Sequence, residues 1–207
     1  YALPYIDRGY NIFYLEQRAH GDSEGSYIGM GYPEHFDLLD WIDVIVERDP
    51  DASIVLHGHS MGAATILMAT GEKSLPPNII CSIADCGFSS VFAQFTFNLK
   101  HLFHLPAFPS LYAADLASRL ITGLNFRKGN VIKYVKKSHT PTFFIHGDCD
   151  VFVPTSMVFE LYNAAECEKQ LYVAHGAAHV DSQYIDPELY YKQVFAFIDK
   201  YRTSSRP

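Results

Sequence analysis

Ser53-Ile54-Val55-Leu56-His57-Gly58-His59-Ser60-Met61-Gly62 decides the fold of this chain. Ser53 to His57 is a short apolar, β-branched run of the kind a buried strand uses, and Met61 to Thr70 is a run of good helix formers. Between them Gly58-His59-Ser60-Met61-Gly62 must turn the chain sharply from strand into helix. A serine in such a turn is held in a strained backbone conformation with its hydroxyl raised above the sheet. Gly58 and Gly62 are read as making room, because side chains two positions either way would collide across the turn. The helix aims its N-terminus at the serine, and the backbone N–H of Met61 becomes a donor for a developing oxyanion.

Working outward, Tyr10 to Leu15, Ile79 to Ala84, Thr142 to His146 and Gln170 to Ala174 read as further short strands, bounded by Gly, Pro, Asp or Asn. His35 to Arg48 carries Phe36, Leu39, Ile42 and Val46 at helical spacing, and Pro154 to Ala165 and Pro187 to Tyr201 each open on a proline suited to a first helical turn. Strand and helix alternate, which implies an α/β fold: a mostly parallel sheet with helices on both faces. Phe88 to Lys137 breaks the rhythm with no strand and many aromatics. A structureless loop of that length is improbable, so the segment is expected to be a helical, cap-like insertion within a single domain spanning 1–207.

A serine hydroxyl is a poor nucleophile until an imidazole takes its proton, and the imidazole needs a carboxylate to fix its tautomer. Of the ten histidines, His175 and His179 lie on the loop between the last strand and the final helix. His179, with Ala177 and Ala178 before it, has the small neighbours that close approach requires, and it is the favoured base. Asp148 and Asp150 both follow the strand ending at His146; either could be the acid, or a turn or N-cap aspartate.

The Ser60 turn, the run His146-Gly147-Asp148-Cys149-Asp150-Val151-Phe152-Val153-Pro154 and the His179 loop, in that order, resemble the α/β-hydrolase superfamily. The resemblance implies that the acid is the aspartate four residues after the histidine, Asp150. Glu16 to Gly25, Ser60 to Thr65 and Ile83 to Phe88 further resemble a bacterial group of uncharacterised hydrolases that often carry an N-terminal membrane anchor. Superfamily members take a second oxyanion donor from a loop after an earlier strand. That strand would precede Tyr1, so N-terminal strands are expected to be missing from this chain.

The bulk composition narrows the partners. With 207 residues, 48% of them apolar, one substantial core can form. The net charge of −7, with no long basic run, speaks against nucleic acid. Cys81, Cys86, Cys149 and Cys167 lack C-x-x-C spacing and read as free thiols. His57 and His59 flank Gly58 without a third ligand at suitable spacing, so neither metal nor other cofactor is expected. No apolar run approaches the roughly 18 residues of a membrane span, which reads as a soluble domain, cytoplasmic or anchored by a segment upstream. Arg18, His20 and Asp22 are expected to brace the turn around Gly21, and Asp85 to be structural.

The expected reaction is acyl transfer to water. Ser60 is the nucleophile, His179 the base, Asp150 the acid and Met61 the oxyanion donor. The aromatic insertion favours a small-molecule ester with an apolar group. The alternatives are an amide or peptide bond cut by the same residues, or a non-catalytic binding protein on the same fold.

Overall fold

A computed structural model describes residues 2–202 of the chain. Its sheet holds four parallel strands in the order β1 (Ile54–His59), β2 (Ile79–Asp85), β3 (Thr142–Gly147) and β4 (Lys169–Ala174). The two central strands are buried along almost their whole length, while β1 and β4 are only partly covered. Burial on both faces explains why β2 and β3 read as continuous apolar runs rather than alternating ones.

Helices cover both faces. On one side α3 (Met61–Ala69) packs on β1 and β2, with α2 (Glu34–Arg48) against α3 and α7 (Ser156–Ala164) against β3. Every residue of α3 from Ala63 to Ala69 is buried, as its lack of a polar stripe requires. On the other side α1 (Leu3–Ile6) and α9 (Pro187–Arg202) close a second core, in which Tyr5, Tyr190, Val194 and Ile198 meet Cys81, Ile83, Phe143 and Ile145. The strand alternation sorts these layers, with Phe143 and Ile145 facing α9 and Phe144 between them facing the opposite core.

The segment 88–137 is helical, as its composition demanded. It carries α4 (Val91–His101), α5 (Ser110–Ile121) and α6 (Val131–Val135), and Ser90 caps α4 by accepting the N–H of Ala93 at 3.1 Å. α8 (Ser182–Ile185) separates the histidine loop from α9.

One expected strand is corrected. Tyr10 to Leu15 forms no strand, and Phe13 and Tyr14 are exposed. A strand needs a neighbour for its backbone N–H and C=O groups, and among the described residues β1 pairs only with β2 and nothing pairs with Tyr10 to Leu15. All four cysteines are free thiols. Among the described residues no helix is long and apolar enough to cross a membrane.

Candidate active site

Ser60 sits between β1 and α3 with φ 52° and ψ −114°, a left-handed conformation that costs a non-glycine residue about 1–3 kcal/mol. The turn is pinned on both sides: Ser60 N–H donates to the Asp85 carbonyl at 2.9 Å, and the Ser60 carbonyl accepts from Ala64 N–H at 3.0 Å. Cys86 (φ 48°) and Val180 (φ 61°) are also left-handed, so the strain gathers where β1, β2 and the histidine loop converge. Gly58 is required, because a Cβ there would stand 2.4 Å from the Gly62 carbonyl oxygen. Gly62 is not, and that expectation is corrected: its own Cβ would meet nothing within 4 Å. The crowding is one-sided because the side-chain direction at 58 points at the first turn of α3, whereas that at 62 points away. Met61 opens α3, so its N–H has no carbonyl one turn back within the helix to bond.

The structure brings Ser60, His179 and Asp150 together. His179 Nε2 lies 2.9 Å from Ser60 Oγ, and His179 Nδ1 lies 2.7 Å from Asp150 Oδ2. A carboxylate can only accept, so Nδ1 carries the proton and Nε2 offers its lone pair to the serine hydroxyl. The Asp150 side chain is fully buried and that of His179 is 21% exposed. Gly147 permits this closeness, because a Cβ there would stand 2.2 Å from the Ala177 carbonyl oxygen. Asp148 and His175 form a separate exposed pair at 2.6 Å, away from Ser60.

No protein-family model matches the chain. Over 99% of its length it is 29% identical to the uncharacterized protein YqkD of Bacillus subtilis, of which it covers 67%. The esterase Pf2001 of Pyrococcus furiosus is similar in structure at a TM-score of 0.75, with 28% identity, over 97% of this chain and 76% of that one. The chain has the α/β-hydrolase fold. An acylaminoacyl peptidase of Pyrococcus horikoshii shares this fold at a TM-score of 0.61 and 20% identity, over 83% of this chain and 28% of its own.

Within this hydrolase fold Asp150 is held by more than His179. Burial acts to raise the Asp150 pKa, but hydrogen bonds from His146, His179 and Val153 N–H outweigh it and hold the carboxyl well below the usual carboxylate range. Asp150 Oδ1 takes the N–H groups of Phe152 and Val153, at 2.9 and 2.8 Å. The fully buried His146 brings Nε2 to 2.9 Å from the Val153 carbonyl and 3.2 Å from Asp150 Oδ2. Both neighbours are acceptors, so Nε2 is protonated and donates to the Asp150 carboxylate. The only hint of this second imidazole in the sequence was its spacing of four from Asp150.

The remaining candidates resolve by their contacts. His57 and His59 do not chelate: their rings stack at 4.7 Å, and His57 gives Nδ1 to Tyr5 OH at 2.6 Å and Nε2 to Tyr190 OH at 3.2 Å. Burial lowers the pKa of both, His59 to about 4, so both are neutral near pH 7. Cys86, Asp150 and His179 bring potential metal-ligand atoms within 4.8 Å of one another. Burial pushes the Cys86 thiol far up, however, and Asp150 and His179 already engage each other, which suits proton transfer better than thiolate ligation. Arg18 forms a two-pronged ion pair with Asp37, His20 Nδ1 lies 2.9 Å from the Arg18 carbonyl, and Asp22 N–H donates to Glu16, so this loop braces itself. A surface hollow of about 500 Å³ opens beside it, and none of Ser60, Asp150 and His179 lines it.

Proposed function

We propose that this protein is a serine hydrolase that cleaves a carboxylic ester through an acyl-enzyme. The observation that carries the reading is the unbroken relay from Ser60 Oγ through His179 Nε2 and Nδ1 to Asp150 Oδ2, at 2.9 and 2.7 Å. His179 takes the Ser60 proton as Oγ attacks the ester carbonyl, and the resulting imidazolium is stabilised by Asp150, which stays ionised. The tetrahedral oxyanion forms beside the Met61 N–H at the start of α3. His179 then gives its proton to the departing alcohol, leaving Ser60 acylated. Water, deprotonated by His179, attacks the acyl carbonyl in the second half, and the acid and free Ser60 are released. Every step balances without a cofactor.

An ester with an apolar group suits the surroundings. Phe152 packs against the His179 ring at 5.0 Å between centroids, and Gln94 of α4 donates to the Phe152 carbonyl at 2.6 Å, which ties the aromatic α4 to the acid loop. Matched p-nitrophenyl esters and p-nitroanilides of one acyl series test the class. Ester turnover abolished in Ser60→Ala, with little anilide turnover, is expected. Anilide cleavage at comparable kcat/KM would move the assignment to an amidase.

A further inference from the structure

Asp85 ends β2 directly beneath the Ser60 turn, and it is 1% exposed. We propose that Asp85 is a positioning residue for the reaction, its carbonyl fixing the nucleophile turn while its ionised carboxylate anchors the histidine loop and supplies a second buried negative charge near His179. This inference rests on the serine-hydrolase reading.

Three contacts place it. The Asp85 carbonyl accepts Ser60 N–H at 2.9 Å, so its backbone fixes the nucleophile. Oδ1 accepts from Ser182 Oγ at 3.2 Å, and Ser182 opens α8 three residues after His179. Oδ2 accepts from Tyr190 OH of α9 at 3.0 Å. One residue thus ties together the two loops whose separation sets the Ser60 to His179 distance, its carbonyl bonded to Ser60 and its carboxylate to Ser182.

The polar chain behind it has a direction. Tyr190 gives its one proton to Asp85, so its oxygen accepts from His57 Nε2–H, and His57 Nδ1 accepts from Tyr5 OH. Each donor points toward the carboxylate, an arrangement that fits Asp85 ionised and reverses if it is protonated. A chain that only filled the core would have no need of a charge at its end.

The carboxyl is also poised to change state. Burial raises its pKa to about 6, against the lowering effect of Tyr190, His146, Ser182 and His179. From β1, His59 Nε2 lies 3.8 Å from Oδ2. Tyr172 and Tyr191 feel the same charge, as does the neighbouring thiol of Cys86. An ionised Asp85 favours the imidazolium that His179 must become.

The test is the acid limb of kcat/KM against pH. Asp85→Asn keeps the shape and removes the charge. The acid limb is expected to move to lower pH by about half a unit or more, with kcat down about tenfold and KM changed by less than about twofold. Ser182→Ala cuts the tie to the histidine loop and withdraws one donor from the carboxylate, so kcat falls and the limb moves to higher pH, opposite to the shift in Asp85→Asn. Should Asp85→Asn fail to fold, Tyr190→Phe withdraws one donor from the carboxylate, which raises its pKa and moves the limb to higher pH. Acid limbs superimposable on the wild type in the folded charge-altering variants overturn the proposal. A wild-type chain with no ester turnover and no fluorophosphonate adduct instead refutes the hydrolase reading beneath it.

Discussion

Gly147→Ala places one methyl group at the tightest backbone contact around the site. A Cβ at 147 would stand 2.2 Å from the Ala177 carbonyl oxygen and 2.7 Å from its carbon. Carbon contacts are comfortable only near 3.5 Å, so the two backbones must part by about 1 Å. β3 cannot give way, because it is paired on both sides and Gly147 itself lies opposite Ala174 in the register with β4. The histidine loop moves instead, and Ala177 is two residues from His179. A shift of about 1 Å lengthens the 2.9 Å contact with Ser60 beyond hydrogen-bonding range. Misplacement on that scale costs about 100-fold in rate, or about 2.7 kcal/mol of barrier. The assay is kcat on an activated ester, with thermal melting in parallel. Gly176→Ala is the control, since Gly176 has φ +79° and open space around it. It strains the same loop by about 1 kcal/mol without a collision and should lose little rate. A Gly147→Ala protein retaining more than about a third of wild-type kcat would refute the close-approach reasoning.

Three further outcomes follow from the same contacts. Ser60→Gly and Ser60→Ala should both be inactive, but the glycine variant should melt higher by calorimetry, because glycine relieves about 1–3 kcal/mol of left-handed strain at φ 52°; equal melting temperatures would contradict this. Folding stability should fall between pH 7.5 and 5. His59, neutral when folded down to about pH 4, protonates near 6.5 when unfolded, so its contribution is present above 6.5 and declines by about 2 kcal/mol by pH 5. His57 acts in the same direction, and Asp85, raised to about 6, offsets about 1.5 kcal/mol by taking up a proton in the folded state. A urea midpoint that does not drop on acidification would count against buried neutral histidines. His146→Leu removes a donor to Asp150 and should cost about 1.5–3 kcal/mol at pH 7. Asp150 has a lowered folded pKa, so its contribution exists above the ordinary carboxylate range and is lost on acidification. The gap between variant and wild type in urea titrations should therefore narrow as pH falls below about 4, and a constant gap would oppose this role.

Much of this architecture was legible because its signals are local. The apolar run before Gly58, the helix formers after Met61 and the prolines opening later helices depend on near neighbours, and Ile54–His59 and Pro187–Arg202 lie where those patterns put them. The order of Ser60, Asp150 and His179 was readable because each follows the C-terminal end of a strand. Tyr10 to Leu15 misled because β-branched and aromatic content describes a strand's fitness for a sheet, not the presence of a partner strand. Gly62 misled because the symmetry of a five-residue motif hides which Cβ faces the other's backbone. The hydrogen bonds joining Asp85 to Ser182 and Tyr190, and His57 to Tyr5, span 52 to 133 residues of sequence along with the Tyr190 to His57 contact, and no periodicity reports such convergence.

The most direct test of the account is covalent labelling with a fluorophosphonate followed by peptide mass spectrometry. A single adduct on Ser60, lost in Ser60→Ala and greatly slowed in His179→Ala and Asp150→Asn, is the expected result. No adduct on Ser60 in folded protein, or labelling at the wild-type rate without His179, would contradict the central claim.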